Sequence, residues 1–412
     1  MDYVLTASHK NPYFYFRFIL QVKNIFLVIL LLIYLWGCSQ PIPIDNQNLI
    51  IINAPVKKES NIKLSSLVDS IYYIPLETKD EFLIGNIDKL IVTDKEIYVL
   101  DKNITTATYC FDQKGKFVRK IGNRGASDKE YISITDINIH NGKMYIWDGD
   151  VNKLLIYNSN GEYIKTITSK YSAETFAVIN DSEIAFYGDY KHNHLFLEKD
   201  QYPNLLFLNT QNKDSKSDLF FSSELSTSGI WGLPNNLTNN KNLIIPLNDT
   251  IYQILDSFHL KRKFVMNYGE NYQKAQREYI KKLKSENVSV DEAMNMLGDG
   301  AQFPVLTAYY EGSYFSYFFY RIGFHAFFGF YYPESQTYIE ASAYQKSPIE
   351  NDMDGLARFL PYAVHKNTLY SIMEPSSIIG HTELIPVSEK AKLEKLTLED
   401  NPVIVAIKMK KI

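Results

Sequence analysis

Ile97-Tyr98-Val99-Leu100-Asp101 leads through Tyr109-Cys110-Phe111-Asp112 to Lys114-Gly115-Lys116-Phe117-Val118-Arg119-Lys120-Ile121. Further on, Met144-Tyr145-Ile146-Trp147-Asp148 leads through Leu155-Ile156-Tyr157-Asn158 to Asn160-Gly161-Glu162-Tyr163-Ile164-Lys165-Thr166-Ile167. Tyr98 and Asp101 recur 47 positions later as Tyr145 and Asp148, and Gly115 recurs 46 positions later as Gly161. Short strands joined by tight turns, repeating at this period, are the mark of a propeller blade, a unit that must stack on its neighbours to bury its faces.

Working outward from this pair, blade-like units fall at 82–122 and 131–168, followed by a degenerate third at 173–210 that lacks the turn glycine. A fourth spans 219–268 and an aromatic-rich fifth 301–344. A sixth begins near 357, where His365 to Tyr370 echoes His140 to Tyr145, and it ends on the strand Pro402 to Lys410. One spare strand stands ahead of the first unit, Ile71-Tyr72-Tyr73-Ile74-Pro75-Leu76. The expected fold is therefore all-β: a six-bladed β-propeller over 64–412 with four-stranded antiparallel blades. The N-terminal strand completes the last blade and so removes an open edge. One segment breaks the pattern. Ala275, Tyr279, Ile280 and Leu283 have helical spacing, and Ser289-x-x-Glu292 reads as a capping box for a second short helix stopped by Gly298, so a helical insertion is expected at about 271–298.

The N-terminal region reads as an address. Lys10, Arg17 and Lys23 precede an apolar run from Ile25 to Trp36 that is short for a membrane span, and the run ends in Leu35-Trp36-Gly37-Cys38. Residues 1–37 are expected to be a signal peptide and Cys38 the lipidated residue, with 38–63 a polar, proline-containing tether. Without residues 1–37 the chain holds 40 basic against 46 acidic residues, a balance that argues against nucleic acid as a partner. Cys110 is then the one cysteine besides Cys38, so no internal disulfide is available.

Several stretches together carry a family resemblance: Ile71 to Thr78, Ile121-Gly122-x-Arg124-Gly125 with Glu130-Tyr131, Asn248-Asp249-Thr250-Ile251-Tyr252, Asn351-Asp352-x-Asp354-Gly355 and Asn401-Pro402-Val403-Ile404-Val405. From Leu64 to the C-terminus the chain resembles the six-bladed β-propeller lipoproteins of Bacteroidota, whose blades are NHL- or TolB-like. Ala126 to Lys129 stands where that family has a Gly-Pro-Gly-type turn. The resemblance implies a lipid-anchored protein of the cell envelope, the outer membrane in the first place. It supplies no catalytic residues. Ser39-Gln40 lacks an acidic run resembling a surface-export signal, so both a periplasmic and a surface-facing orientation stay open.

Candidate sites are few. His192-x-His194 places two imidazoles on one side of an extended segment but has no further ligands to close a metal site, and reads as an exposed loop. Asp352 and Asp354 beside Gly355 resemble a fragment of a calcium loop without its distal acid, and read as a turn. Cys110 reads as a buried, inert thiol. The aromatic run of the fifth unit reads mainly as packing between blades, with tyrosines at strand ends free to stack on a ligand. No cofactor is expected. The expected role is a ligand-binding or scaffold module, with a glycan or peptide ligand near the central channel or a partner protein in the envelope. The alternative is a metal-dependent propeller enzyme, lactonase- or lyase-like, with its site in the channel.

Overall fold

The computed structural model describes residues 44–412 except 58–59, 190–203, 212–214, 219–235, 257–258, 286–287, 299, 345 and 357–358. Six antiparallel sheets surround an axis. Blade one is Lys89–Val92, Glu96–Asp101, Ala107–Asp112 and Phe117–Ile121, each strand paired with the next; blade two is Asp136–His140, Lys143–Asp148, Lys153–Tyr157 and Tyr163–Thr168. Blade three is Thr175–Asn180, Glu183–Tyr187, Leu205–Asn209 and Ser215–Asp218, so it runs eight residues beyond the expected end at 210. Blade five is Val305–Glu311, Ser316–Ile322, His325–Tyr332 and Thr337–Tyr344. The first strands of blades one and two, two and three, four and five, five and six, and six and one touch, and the first strand of blade three touches Thr250–Asp256 of blade four.

The alternation of side chains along each strand explains the near-continuous apolar runs. Val99, Phe111 and Ile97 of blade one pack against Ile404 and Tyr370 of blade six, while Tyr98, Leu100 and Cys110 of the same strands pack against Met144, Ile146 and Leu155 of blade two. Both faces of a central strand are thus buried, as in any sheet covered on two sides. The aromatic fifth blade follows the same rule. Tyr309, Phe318 and Tyr320 meet Phe264 and Met266 of blade four, and Tyr317, Phe328 and Phe330 meet Leu369 and Val405 of blade six.

The repeat seen in the sequence is a set of backbone-binding side chains. Asp148, fully buried, accepts from the amides of Ile132 (2.6 Å), Ser133 and Asp150 and from the Ser133 hydroxyl. Asp101, equally buried, accepts from the amides of Gly85 (2.7 Å), Asn86, Ile104 and Thr105. Each carboxylate therefore ties the loop entering a blade to the loop after its second strand. Asp112 and Asn158 hold the outer turns alike, each accepting two amides. The turn glycines Gly115 and Gly161 have φ of +82° and +81°, a region L side chains rarely adopt.

Ring closure follows the expected route. Blade six is Ala363–His365, Thr368–Met373 and Val403–Met409, with Val68–Pro75 as its outermost strand, Tyr73 opposite Val405. Of the stretch 38–63, expected as a tether, the described residues from Ile44 on differ from that expectation. Ile44–Asp45 and Ile50–Asn53 run parallel to His259–Asn267 and add a fifth strand to blade four, whose own strands are Asn242–Ile244, Thr250–Asp256 and His259–Asn267 with a bridge from Leu237 to Leu243. The chain then crosses to blade five, where the Lys57 amide donates to Glu340 and Ser60 bridges Ser342, and to Ile349–Glu350, which pairs with Ile62–Lys63. Residues 44–75 form a belt over the outer edges of blades four, five and six. The physical reason is burial: Ile52, Ala54 and Val56 are sequestered, and the edge amides of blade four gain partners.

The helical insertion forms as expected, Glu270–Ser285 and Val290–Leu297, with the Ser289 hydroxyl accepting the Glu292 amide at 3.2 Å. Tyr279, Leu283 and Ala293 pack on Leu247, Phe303 and Val305. A further short helix, Val387–Leu393, lies between the second and third strands of blade six. No helix among the described residues is long and apolar enough to cross a membrane.

Starting the chain at Ser60 removes the added strand with its buried Ile52. Chemical denaturation is expected to show a loss of about 3 kcal/mol, accompanied by concentration-dependent association through the bared edge. Unchanged stability and a monomer would return 44–57 to the status of a tether.

Candidate functional site

In blade four the innermost place belongs to the segment at Leu237, bridged antiparallel to Leu243, and the channel has two chemically distinct ends. At one end lie the loops that enter each blade; at the other lie the hairpins that leave each first strand. Equivalent first positions of blades one, two and three carry Lys89, Asp136 and Thr175. Lys89 Nζ meets Asp136 Oδ1 at 2.6 Å, and Asp136 Oδ2 accepts from the Thr175 hydroxyl at 2.6 Å and the Phe176 amide at 3.2 Å. Lys89 and Asp136 are 47 positions apart, so this ion pair is the sequence repeat seen from the channel.

On the loop side, a cavity of about 310 Å³ is bounded by Thr307, Ala308, Tyr310 and Phe319 of blade five, Leu360, Pro361 and Tyr362 ahead of blade six, and Asp88 and Lys89 of blade one, with Arg321 at its rim. Asp88 is committed to the Lys102 amide and two asparagine side chains. Arg321 has no acidic partner among the described residues. On the hairpin side, a cavity of about 260 Å³ is bounded by residues of blades one, two, four, five and six, among them Thr93, Asn239, Asn242, Glu311, His365 and Lys366. Lys89, Tyr310 and Tyr362 border both cavities and form the waist between them.

The hairpin end is held by charges. Asp94 contacts Lys366 Nζ and accepts from His365 Nε2 at 2.8 Å, and these two partners, Lys366 first, bring its carboxyl down to about 2. This contact joins blades one and six. Glu311 pairs with Lys263 and accepts from Asn242 Nδ2 at 3.2 Å, joining blades four and five. Burial, reinforced by Lys241, holds His140 below the usual imidazole range.

The residues singled out in the sequence have other tasks. Cys38, His192 and His194 lie outside the described residues. Asp352 accepts from the Ser65 amide at 2.9 Å and its hydroxyl at 2.6 Å, and Asp354 accepts from the buried Tyr73 hydroxyl at 2.7 Å. Both carboxylates thus grip the belt, and Asp354 also closes a turn on its own backbone, accepting the Leu356 amide at 3.1 Å. Among the described residues no three His, Cys, Asp or Glu side chains gather to hold a metal ion. Cys110 is buried, and burial pushes its thiol up to about 12. Ala126 to Lys129 replaces the glycine-rich turn with a closure of its own, the Ser127 amide donating to Glu130 at 3.0 Å while Tyr131 is fully buried. None of the described residues of the helical insertion lines either cavity.

The family model described as "Domain of unknown function (DUF4934)" matches residues 47–408. This chain belongs to that family. A protein of Bacteroides fragilis described as exported is similar to this DUF4934 chain, with a TM-score of 0.64 at 15% identity over 88% of this chain and 99% of that one, a likeness that shows the fold. A member of the DUF4221 family from Bacteroides vulgatus aligns at 0.48 and 11% identity over 86% of this chain and 99% of that one. A virginiamycin B lyase from Staphylococcus aureus aligns at 0.33 and 12% identity over 66% and 73%, respectively, which is too distant to bear on chemistry. No curated protein matches the DUF4934 chain.

One carboxyl group near the loop side is poised differently. Asp249 accepts from Gln276 Nε2 of the first insertion helix at 3.1 Å; although the residue keeps some surface, its carboxyl is enclosed, and burial pushes it up to about 6 from 3.8. The folded protein therefore holds this proton more tightly than the unfolded chain. Its stabilising contribution is full below about pH 4 and is lost as pH rises through 6. Asp249→Asn is expected to remove that slope and to raise stability at pH 7 by roughly 2–3 kcal/mol, measured by urea unfolding at pH 4, 5, 6 and 7. Parallel pH profiles for the two proteins would contradict it.

Proposed function

We propose that this DUF4934 propeller is a lipid-anchored protein of the cell envelope that binds a small ligand in its central channel. The observation that carries the reading is the loop-side cavity: an apolar and aromatic lining of Tyr310, Phe319, Leu360, Pro361 and Tyr362 with a guanidinium at the rim, Arg321, that has no acidic partner among the described residues. A concave apolar site with a few convergent polar groups is what small-ligand sites look like. A guanidinium with no acidic partner among the described residues suits a carboxylate or phosphate on the ligand. The anchor reading is supported by Leu35-Trp36-Gly37-Cys38 after an apolar run, and by the likeness to a protein described as exported. Membrane through an N-terminal lipid, at the outer membrane, is the proposed address.

A scaffold role has its own observation. Leu384, Val387 and Leu398, in the segment joining the second and third strands of blade six, are 69%, 86% and 67% exposed. Scattered exposed side chains need no partner, but three large apolar groups in one short segment suit an envelope protein docking there.

Calorimetric titration with small aromatic carboxylates tests the channel reading. Binding to the wild type is expected, weakened at least tenfold in Arg321→Gln and in Tyr362→Ala without loss of thermal stability. Binding indifferent to both changes would place the ligand elsewhere. Cys38→Ala is expected to release the protein from the membrane fraction on cell lysis; retention would overturn the anchor.

A further inference from the structure

We propose that the hairpin end of the channel is a second subsite, built for a neutral polyhydroxylated ligand of one or two rings, a saccharide. The proposal rests on the reading of the channel as a binding site but concerns its opposite end, where the chemistry is different. Two side-chain carbonyls there, Asn239 Oδ1 and Asn242 Oδ1, are buried without a hydrogen-bond partner among the described residues. Asn242 is 1% exposed, and its orientation is fixed: Nδ2 donates to Glu311 Oε2, so turning the amide over would set its carbonyl against a carboxylate. A buried acceptor left unmatched is costly, and a donor supplied by a ligand removes that cost.

The charges at this end decide which donor fits. Lys89 is taken by Asp136, Lys263 by Glu311, and Lys366 with His365 by Asp94. An ionic ligand would have to break one of these pairs or sit against a like charge, since ammonium groups of Lys89 and Lys366 and the carboxylate of Glu311 all border the cavity. Hydroxyl groups need neither. Each donates one hydrogen bond and accepts others, so a ring of hydroxyls can satisfy the two asparagine carbonyls and the free lone pairs of Glu311 while accepting from lysine N–H groups. Tyr310 and Tyr362 at the waist offer the apolar faces on which the C–H side of a sugar ring packs. The volume, about 260 Å³, sits just under the ~300 Å³ at which drug-sized pockets begin, which limits the ligand to one or two rings.

The test is calorimetric titration of the full exported domain, residues 38–412, with glucose, galactose, mannose, N-acetylglucosamine, lactose and cellobiose. Glucosamine and glucuronate serve as charged counterparts. At least one neutral sugar is expected to bind, with the charged analogues at least tenfold weaker. Asn242→Leu, which removes the unmatched carbonyl, is expected to weaken that binding at least tenfold while the melting temperature holds or rises. Should Asn242→Leu fold poorly, Asn239→Ala on the neighbouring turn reads the same loss. Absence of binding by every neutral sugar, or binding unchanged in both variants, overturns the proposal. The aromatic carboxylates of the loop side separate the two readings: their binding without any sugar binding removes the saccharide subsite alone, whereas loss of both removes the channel as a ligand site.

Discussion

The fold depends on a carboxylate buried at the end of a blade's second strand and occupied by backbone amides. Asp101 and Asp148 each accept four donors from the two loops that meet at the blade's entrance. Those loops turn sharply and cannot pair with a sheet, so their amides need acceptors from a side chain. A carboxylate offers enough lone pairs to serve them all, and its charge strengthens each bond. Because the first strand of the same sheet leaves directly from such a loop, the same contact sets where Lys89 and Asp136 face the channel. Asn401 does the corresponding work at the junction, accepting from the Ile84 amide and donating to the carbonyls of Glu77 and Phe82, so the ring closes on a side chain of the same kind.

A ring of sheets is only as sound as its outer edges and its seam. Here the first part of the domain serves both. Residues 44–63 run across blades four and five, and Val68–Pro75 completes blade six, with Asp352 and Asp354 gripping Ser65 and Tyr73 on the way. The Tyr73 amide, on the outermost strand, is taken by Glu389 at 2.8 Å, so that edge too is partly satisfied from a neighbouring helix. The consequence for function is a stiff outer wall around a channel whose two ends carry different chemistry. One end is aromatic with a guanidinium; the other is polar with its charges paired.

Much of this was legible in the residues. The 47-position spacing of Tyr98 and Asp101 with Tyr145 and Asp148 marks the blades because the carboxylate contact and the burial pattern repeat with the strand length. The capping residues Ser289 and Glu292 located the helices because that contact is local. The parallel strand at 44–53 was not legible: it has no hairpin partner nearby, and among Ile50, Ile51 and Ile52 only Ile52 is buried, so no period stands out. The channel residues were hidden for a related reason. Lys89, Asn242, Glu311, Arg321 and Tyr362 come from four blades far apart in sequence, and each alone looks like an ordinary surface or strand residue. The acids that did stand out, Asp352 and Asp354, were conspicuous because they hold a turn and a belt.

The account stands on the backbone-binding carboxylates, and Asp148→Ala addresses them directly. Hydrogen exchange combined with urea unfolding should show the amides of Ile132, Ser133 and Asp150 losing protection and global stability falling by about 3 kcal/mol. Full protection at those amides with unchanged stability would contradict it.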